Sequence, residues 1–327
     1  MNRKTTTVLR GTGSCLPSRI VPNDEFVGTI NTSDEWIRTR TGIRERRFVG
    51  PGETSGTLAL TAARNALTRA QIPATELDLI ICATVTPDHM TPANANVIQA
   101  ALGCRPIPAF DISAACTGFL YALSIADQYI RAGSARNVLI IGAEALSRAM
   151  DFTDRNTCIL FGDGAGAAIL SASDSADRGV LQVRLFSDGI NHHLIQVPSM
   201  VSPPAGNGKE PSPFIQMYGR EVFRFAVCRM IELIEDARIE TQRHGKKIDM
   251  IIPHQVNQRI IDAALESTGF PADRVMLNLD HYGNTSAASV PIALDEAVRE
   301  NRARPNDTVL LVAFGGGLTW ASAILTI

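Results

Sequence analysis

The 327-residue sequence has no C-x-x-C pair, no apolar run of membrane-spanning length and almost no net charge. Each absence removes a class. The six cysteines, at 15, 82, 104, 116, 158 and 228, are scattered, which argues against a zinc site and against a disulfide scaffold. A spanning helix needs about 18 or more consecutive apolar residues, and none occur; MNRKTTTVLRG at the start also lacks the apolar stretch of a secretory leader. A cytoplasmic location is the expectation. With a formal charge of −2 nothing pulls the chain towards nucleic acid or an acidic membrane, and neither is expected as a partner. GDGAGAAI (162–169) lacks G-x-G-x-x-G spacing and opens no long helix, so it indicates close backbone packing, not a dinucleotide site.

What is present is a regular alternation of helix and strand signals over a chain with 45% hydrophobic residues, enough for a substantial core. LALTAARNALTRA (58–70) is helical and LDLIICATV (77–85) strand-like; CTGFLYALSIADQYIRAG reads as a helix closed by Gly133, and NVLIIGAEAL (137–146) as the next strand. In EVFRFAVCRMIELIEDARI (221–239), Phe223, Val227, Met230, Ile234 and Ala237 share a helical face, and IDMIIPHQV (248–256) follows as a strand. Three matches make an internal duplication plausible: ELDLIICA with KIDMIIPH, FDISAACTGFLYAL with LNLDHYGNTSAASVPIAL, and RNVLIIGAEA with NDTVLLVAFG, in order and at near-equal spacing. Two related α/β halves, 1–175 and 176–327, are expected, joined at the polar turn SASDSADRG.

This arrangement sets Cys116 and Asn284 after extended segments in corresponding parts of the halves, with His254 just past the strand DMII. Ligands collect beyond the carboxyl ends of strands in such sheets, so the three are expected in one cleft. A cysteine at a helix start faces unpaired N–H groups, which lower its pKa. The plainer alternatives are a buried small hydrophobe for Cys116, a structural imidazole for His254 and a turn residue for Asn284. The other five cysteines read as packing residues, and His89, His192, His193, His244 and His281 as structural or surface groups. FGGGLTW (314–320) offers backbone N–H groups suited to an oxyanion. RTRTGIRERR (38–47) follows closely on Trp36, in a helix that Thr32 and Glu35 would cap. It is either a purine- and phosphate-binding element or a solvated basic face.

DISAACTGF, IIPHQVNQRI, YGNTSAASVPIALDEA, AFGGGLTW and TSDEWIRTRTGIRERR, in order along nearly the whole chain, resemble the β-ketoacyl-[acyl-carrier-protein] synthase III family, the initiating condensing enzymes of type II fatty acid synthesis. The resemblance implies a thiolase-like α/β fold of two duplicated halves in five α-β-α-β-α layers, usually a homodimer. It implies that Cys116 accepts an acyl group from acyl-CoA. His254 and Asn284 then stabilise the enolate formed as malonyl carrier protein loses CO₂, and that carbanion attacks the acyl thioester to give 3-oxoacyl carrier protein. By the same resemblance the N–H groups of Cys116 and Gly316 form the oxyanion hole. Thr32, Trp36, Arg40, Arg155 and Arg259 bind CoA, while Arg224, Gln255 and Arg259 meet the acidic carrier protein. No metal or redox cofactor is implied.

Three positions depart from the family pattern. Glu266 and Ser267 stand where some members have a lysine pair, so docking is expected to be weaker or displaced there. Thr91 falls at the acyl-pocket gate, reached across the dimer, where acetyl-primed members carry phenylalanine; primers longer than acetyl are therefore expected. Thiolases need a second, C-terminal cysteine, and none follows Cys228. Chalcone-synthase-like enzymes share Cys, His and Asn but lack the tryptophan and arginine signature. A related acyltransferase that uses an alcohol or amine acceptor without condensation is the alternative. A papain-like hydrolase fits the repeated α/β pattern poorly, and a noncatalytic subunit would be expected to lose the nucleophile.

Overall fold

The computed structural model describes residues 5–175, 177–198 and 212–327. The first four residues of the N-terminal stretch and residue 176, the expected start of the second half, lie outside the described residues. In chain order come β1 (Thr6–Cys15), β2 (Arg19–Pro22), α1 (Asp34–Thr41), β3 (Glu45–Phe48), α2 (Ser55–Ala70), β4 (Leu79–Ala83), α3 (Asn94–Leu102), β5 (Ala109–Ile112), α4 (Gly118–Arg131), β6 (Asn137–Glu144), α5 (Arg155–Cys158) and β7 (Gly164–Ser173). There follow β8 (Gly179–Ser187), β9 (Ile195–Gln196), β10 (Gln216–Met217), α6 (Gly219–Arg243), β11 (Met250–Pro253), α7 (Gln258–Thr268), α8 (Leu279–Tyr282), α9 (Ser289–Arg299), β12 (Thr308–Gly315) and β13 (Thr319–Thr326).

Two mixed sheets result, ordered β1-β7-β6-β4-β5 and β11-β12-β13-β8. β4, β6, β11 and β12 are buried on both faces, and the period of two divides their side chains between layers. Leu79 and Ile81 of β4 and Val138 and Ile140 of β6 face a central core with Phe119 and Leu123 of α4, Val290 and Leu294 of α9, and Leu311 of β12. Ile80, Cys82, Leu139 and Ile141 point the other way, onto α2. In the second sheet Ile251, Leu310 and Val312 face α6 and α7. Five layers follow: α2 and α3, the first sheet, α4 with α9, the second sheet, α6 with α7. This is the thiolase-like arrangement expected from the resemblance. At β7, a Cβ on Gly166 would stand 2.7 Å from the Ile292 nitrogen of α9, and just before the strand one on Gly162 would stand 2.1 Å from the Tyr282 carbonyl oxygen, so the glycines of 162–169 do serve close packing.

Some local readings shift. β11 stops at Pro253, leaving His254 and Gln255 immediately beyond its carboxyl end. α6 buries Val222, Ala226, Met230, Leu233 and Ala237, while Phe223 and Val227 are only half-buried; Cys228 is exposed and so is not the packing residue expected. The cap of α1 is Ser33, one residue later than expected: its Oγ accepts from the Trp36 N–H at 3.1 Å. All five histidines set aside above are exposed.

Gly142 of β6 lies under a 3-10 turn at Ser286–Ala288, where a Cβ would come within 2.1 Å of the Ala287 carbonyl oxygen. Backbone cannot swing aside as a side chain can. Gly142→Ala is expected to destabilise the chain by about 1–3 kcal/mol, measured by urea unfolding. An unchanged midpoint would show that the turn can lift without cost.

Candidate active site

The segment after β5 turns sharply. Ala115 takes φ +45°, uncommon for a residue with a Cβ, and opens a 3-10 turn at Ala115–Thr117 that runs into α4. Cys116 is the middle residue of that turn. The second half repeats it: Ser286 takes φ +49° and opens the turn Ser286–Ala288 before α9. The positional counterpart of Cys116 is therefore Ala287, not Asn284, which precedes its turn by two residues.

Each turn leans on the other half, the Cys116 turn on β12 and the Ser286 turn on β6. Where β12 ends, Gly315 passes so close that a Cβ there would be 2.9 Å from both the backbone nitrogen and the Cβ of Cys116, and 3.2 Å from its sulfur. Thr117 donates its hydroxyl to the Ala114 carbonyl at 2.7 Å and sits 2.9 Å from the Thr319 hydroxyl, which ties the turn to β13. Burial pushes the Cys116 thiol up to about 12, with a side-chain hydrogen bond to Ser286 acting in the opposite direction. The lowering expected from a helix start does not prevail over the walls that the turn and Gly315 set around the sulfur, although Cys116 is half-buried and lines the larger of the site's two cavities.

Ser286 ties the site together. Its backbone N–H donates to Oδ1 of Asn284 at 2.8 Å, its hydroxyl donates to the carboxylate of Glu144 at 3.2 Å, and it lines the larger cavity together with Cys116. The Asn284 amide is thereby oriented with its oxygen engaged and its NH₂ turned away from that bond. The backbone of Asn284 is held in parallel pairing beside Phe161, with its N–H on the Leu160 carbonyl at 2.8 Å.

His254 is 1% exposed, its N–H on the Val312 carbonyl at 2.7 Å and its ring edge-on to Phe314 at 5.7 Å between centroids. Nδ1 has no hydrogen-bond partner, and burial lowers the imidazole to about 3, so the ring is neutral across the physiological range.

Two cavities approach the 284–286 segment. One, of about 750 Å³, is lined by Val85, Pro87, Leu146, Phe161, Ile195 and Ile215 and reaches Cys116, Ser286 and Gly316. The other, of about 330 Å³, runs from Trp36 and Arg40 past Asn156, Phe223 and Asn257 to Asn284. His254 lines neither. Gly316 is placed beside Ala115, where a Cβ would be 3.6 Å from the alanine Cβ.

At the outer end of the smaller cavity the guanidinium groups of Arg40 and Arg155 each lie 4.6 Å from the Trp36 ring centroid, and Arg155 donates to the Asn31 carbonyl at 2.8 Å. Thr32 has a buried hydroxyl without a partner. Arg259, over the Phe223 ring at 5.7 Å, and Arg224 are both exposed. The run RTRTGIRERR is not one uniform face, since Arg46 is wholly buried and donates to the Val21 and Ile159 carbonyls and to Asn23. Gln255 corrects an expectation. It is 1% exposed, donates to the Pro253 and Met276 carbonyls, and accepts from the N–H groups of Asn278 and Leu279. Its amide pins the loop beyond β11 and cannot meet a docking partner. Thr91 is exposed and lies outside its own chain's larger cavity.

Family models match two stretches of the chain. The model described as 3-oxoacyl-[acyl-carrier-protein (ACP)] synthase III matches residues 110–189, and that of its C-terminal part matches 240–327. β-Ketoacyl-[acyl-carrier-protein] synthase III of Rhizorhabdus wittichii is 49% identical over 318 residues, covering 97% of this chain and 98% of that protein. The chain belongs to the β-ketoacyl-[acyl-carrier-protein] synthase III family. The Novosphingobium aromaticivorans member is 47% identical, over 97% of this chain and 98% of its own. Among crystal structures, the synthase III of Aquifex aeolicus superposes with a TM-score of 0.90 at 44% identity, over 98% of this chain and 100% of that one. That of Thermus thermophilus gives 0.92 at 42%, over 98% and 99%. The chain is accordingly an acyltransferase of this family, whose reaction condenses acyl-CoA with malonyl carrier protein and initiates fatty acid synthesis. No described helix is long and apolar enough to cross a membrane.

Three further residues that the fold gathers at the site carry weaker signals in the sequence. Gly315 is hidden among three glycines. Ser286 looks like one small residue among several in NTSAAS. Glu144 left the clearest signal, an acid ending the otherwise apolar strand NVLIIGAE, since a buried charge needs a reason.

Proposed function

We propose that Cys116 carries the acyl group between acyl-CoA and malonyl carrier protein, with His254 and Asn284 stabilising the enolate. The supporting observation is that two unlike cavities approach the Asn284–Ser286 segment, one reaching Asn284 and the other Ser286. The apolar one suits an acyl chain at Cys116, and the arginine-flanked one suits a phosphopantetheine arm entering past Trp36. A neutral imidazole and a neutral amide are fitting donors to an enolate oxygen because neither protonates the carbanion. The N–H groups of Cys116 and Gly316 would receive the oxyanion of the acyl step. CoA adenine would displace Arg155 from the Trp36 ring and lie between them, near the unpaired Thr32 hydroxyl, with Arg40 and Arg259 on phosphates. Arg224 and Arg259, both exposed, supply the basic surface for an acidic carrier protein.

The halves are placed at 1–175 and 176–327, the chain passing from β7 in one sheet to β8 in the other. The working unit is a cytoplasmic homodimer joined at the open edge of β5. Asp111 on β5 accepts from the N–H groups of Asn94 and Ala95 at 2.7 and 2.9 Å, which fixes the Thr91 loop beside that edge, within reach of a second copy. A threonine leaves the far end of the partner's acyl pocket open. Octanoyl-CoA is expected to prime at least as well as acetyl-CoA, and Thr91→Phe to shift preference towards acetyl by about tenfold or more. Strong acetyl preference in the unaltered enzyme would refute this.

Intact mass after incubation with a panel of acyl-CoAs, then with malonyl carrier protein, tests the whole reading. An adduct discharged as 3-oxoacyl carrier protein is expected. An adduct that never condenses would transfer the assignment to an acyltransferase with an alcohol or amine acceptor.

A further inference from the structure

Glu144 closes a strand in which every residue is buried, and it is itself wholly buried. An ionised carboxylate there requires donors, and four groups face it. The Thr86 hydroxyl lies 2.6 Å and the Thr84 hydroxyl 3.3 Å from Oε2, the Val85 N–H is 3.1 Å away, and the Ser286 hydroxyl is 3.2 Å from Oε1. Three of these are fixed from elsewhere. Val85 donates through backbone. Thr84 Oγ1 accepts the Thr86 N–H at 3.1 Å and Thr86 Oγ1 the Ala145 N–H at 2.9 Å, which leaves each hydroxyl proton for the carboxylate. Ser286 is different. Its hydroxyl donates to Glu144, it lines the same cavity as Cys116 where the two turns pack together, and among the described contacts no backbone N–H is bound to that hydroxyl.

We infer that Ser286 and Glu144 form a proton relay for loading of the acyl group onto Cys116. The inference rests on Cys116 being the acyl carrier. As the sulfur attacks the acyl-CoA carbonyl carbon, the thiol proton passes to Ser286 Oγ and the Ser286 proton passes to Glu144 Oε1. The carbonyl then re-forms, the carbon–sulfur bond to CoA breaks, and the departing thiolate takes the proton back through the same serine. Acyl-Cys116, neutral CoA thiol and ionised Glu144 remain. Ser286 touches a reacting atom; Glu144 acts through it and is a positioning residue.

The surroundings suit this role. Burial raises Glu144 to about 7, close to the value a proton acceptor needs at neutral pH, whereas His254, near 3, is a poor acceptor. The titratable groups around Glu144 are Cys116 on the turn and Cys82 on β4, with Asp88 and Asp111 beyond Cys82. Asp163, just before β7, is engaged by Ser147 and the Val49 N–H. Among the described residues no cation is set against the carboxylate.

The test separates loading from condensation. Ser286→Ala keeps the backbone N–H that holds Asn284 and removes only the hydroxyl. Single-turnover acylation by octanoyl-CoA, followed by intact mass, is expected to slow about 100-fold in Ser286→Ala and in Glu144→Gln, with no further loss in the double variant. Discharge of preloaded acyl-enzyme by malonyl carrier protein should stay within about threefold. Glu144→Asp should recover part of the rate. In the unaltered enzyme, alkylation of Cys116 by iodoacetamide should rise with pH through a step near 7, because the ionised carboxylate is the acceptor; Glu144→Gln should erase that step. Loading at the original rate in Ser286→Ala would overturn the relay, as would additive losses or an unchanged alkylation profile in Glu144→Gln. Should Glu144→Gln fail to fold, the serine variant still decides. If the unaltered enzyme forms no adduct on Cys116, it is the assignment of the acyl carrier that fails.

Discussion

Cys116→Ser should form no acyl adduct with any acyl-CoA and should lose condensation by on the order of 10³-fold or more. The loss follows from the seat as much as from the atom. Gly315 and the turn at Ala115 fix the position of the side chain, so serine will sit where cysteine sat and the fold should be retained. A hydroxyl at that position is a far weaker nucleophile than a thiol. Intact mass with and without hydroxylamine treatment checks the adduct, and a circular dichroism melt checks the fold. An adduct of normal yield on the serine variant would move the acyl carrier to another residue.

The second large effect divides the reaction at its other step. Asn284→Asp and His254→Ala are each expected to load acyl groups within a few-fold of normal and to lose condensation by about 10²–10³-fold, the cost of removing one donor from a developing oxyanion. The aspartate variant is the sharper probe. One carboxylate oxygen can still accept the Ser286 N–H, so orientation survives, but the other cannot donate and brings negative charge to an enolate. His254→Ala also empties a site against Phe314, so its melting temperature must be measured beside its rate. Equal loss of loading and condensation in Asn284→Asp would show that the turn, not the donor, had been damaged.

Much of this molecule can be read from order and spacing. The alternating strands, the helix that starts after Cys116 and the placement of His254 past a buried strand follow from local patterns whose period the fold preserves. What could not be read depends on distant pairs. Gln255 lies beside His254 in a segment that looks exposed, yet its amide is consumed by backbone groups between Pro253 and Leu279. Arg46 belongs to a basic run, but packing against Ile159 and Asn23 removes it from solvent. Ser33, not Thr32, caps α1; adjacent hydroxyl residues before a helix both suit the cap, and helix boundaries shift by a residue or two from any four-residue pattern. The thiol's raised pKa likewise reflects walls from both halves, which no reading of DISAACTGF alone contains.

The crossed seating of the two turns bears on how the enzyme comes into being. Cys116 is made early, but Ser286, Asn284 and Gly315 leave the ribosome long afterwards, and the sulfur's turn rests on β12 rather than on its own sheet. A chain interrupted anywhere before β12 therefore carries the cysteine without the second half of its site. Such fragments hold an ordinary thiol without the cavity, the donors or the backbone wall that surround it in the finished chain. The site exists only once both halves are complete, so it cannot be divided between separately folding pieces.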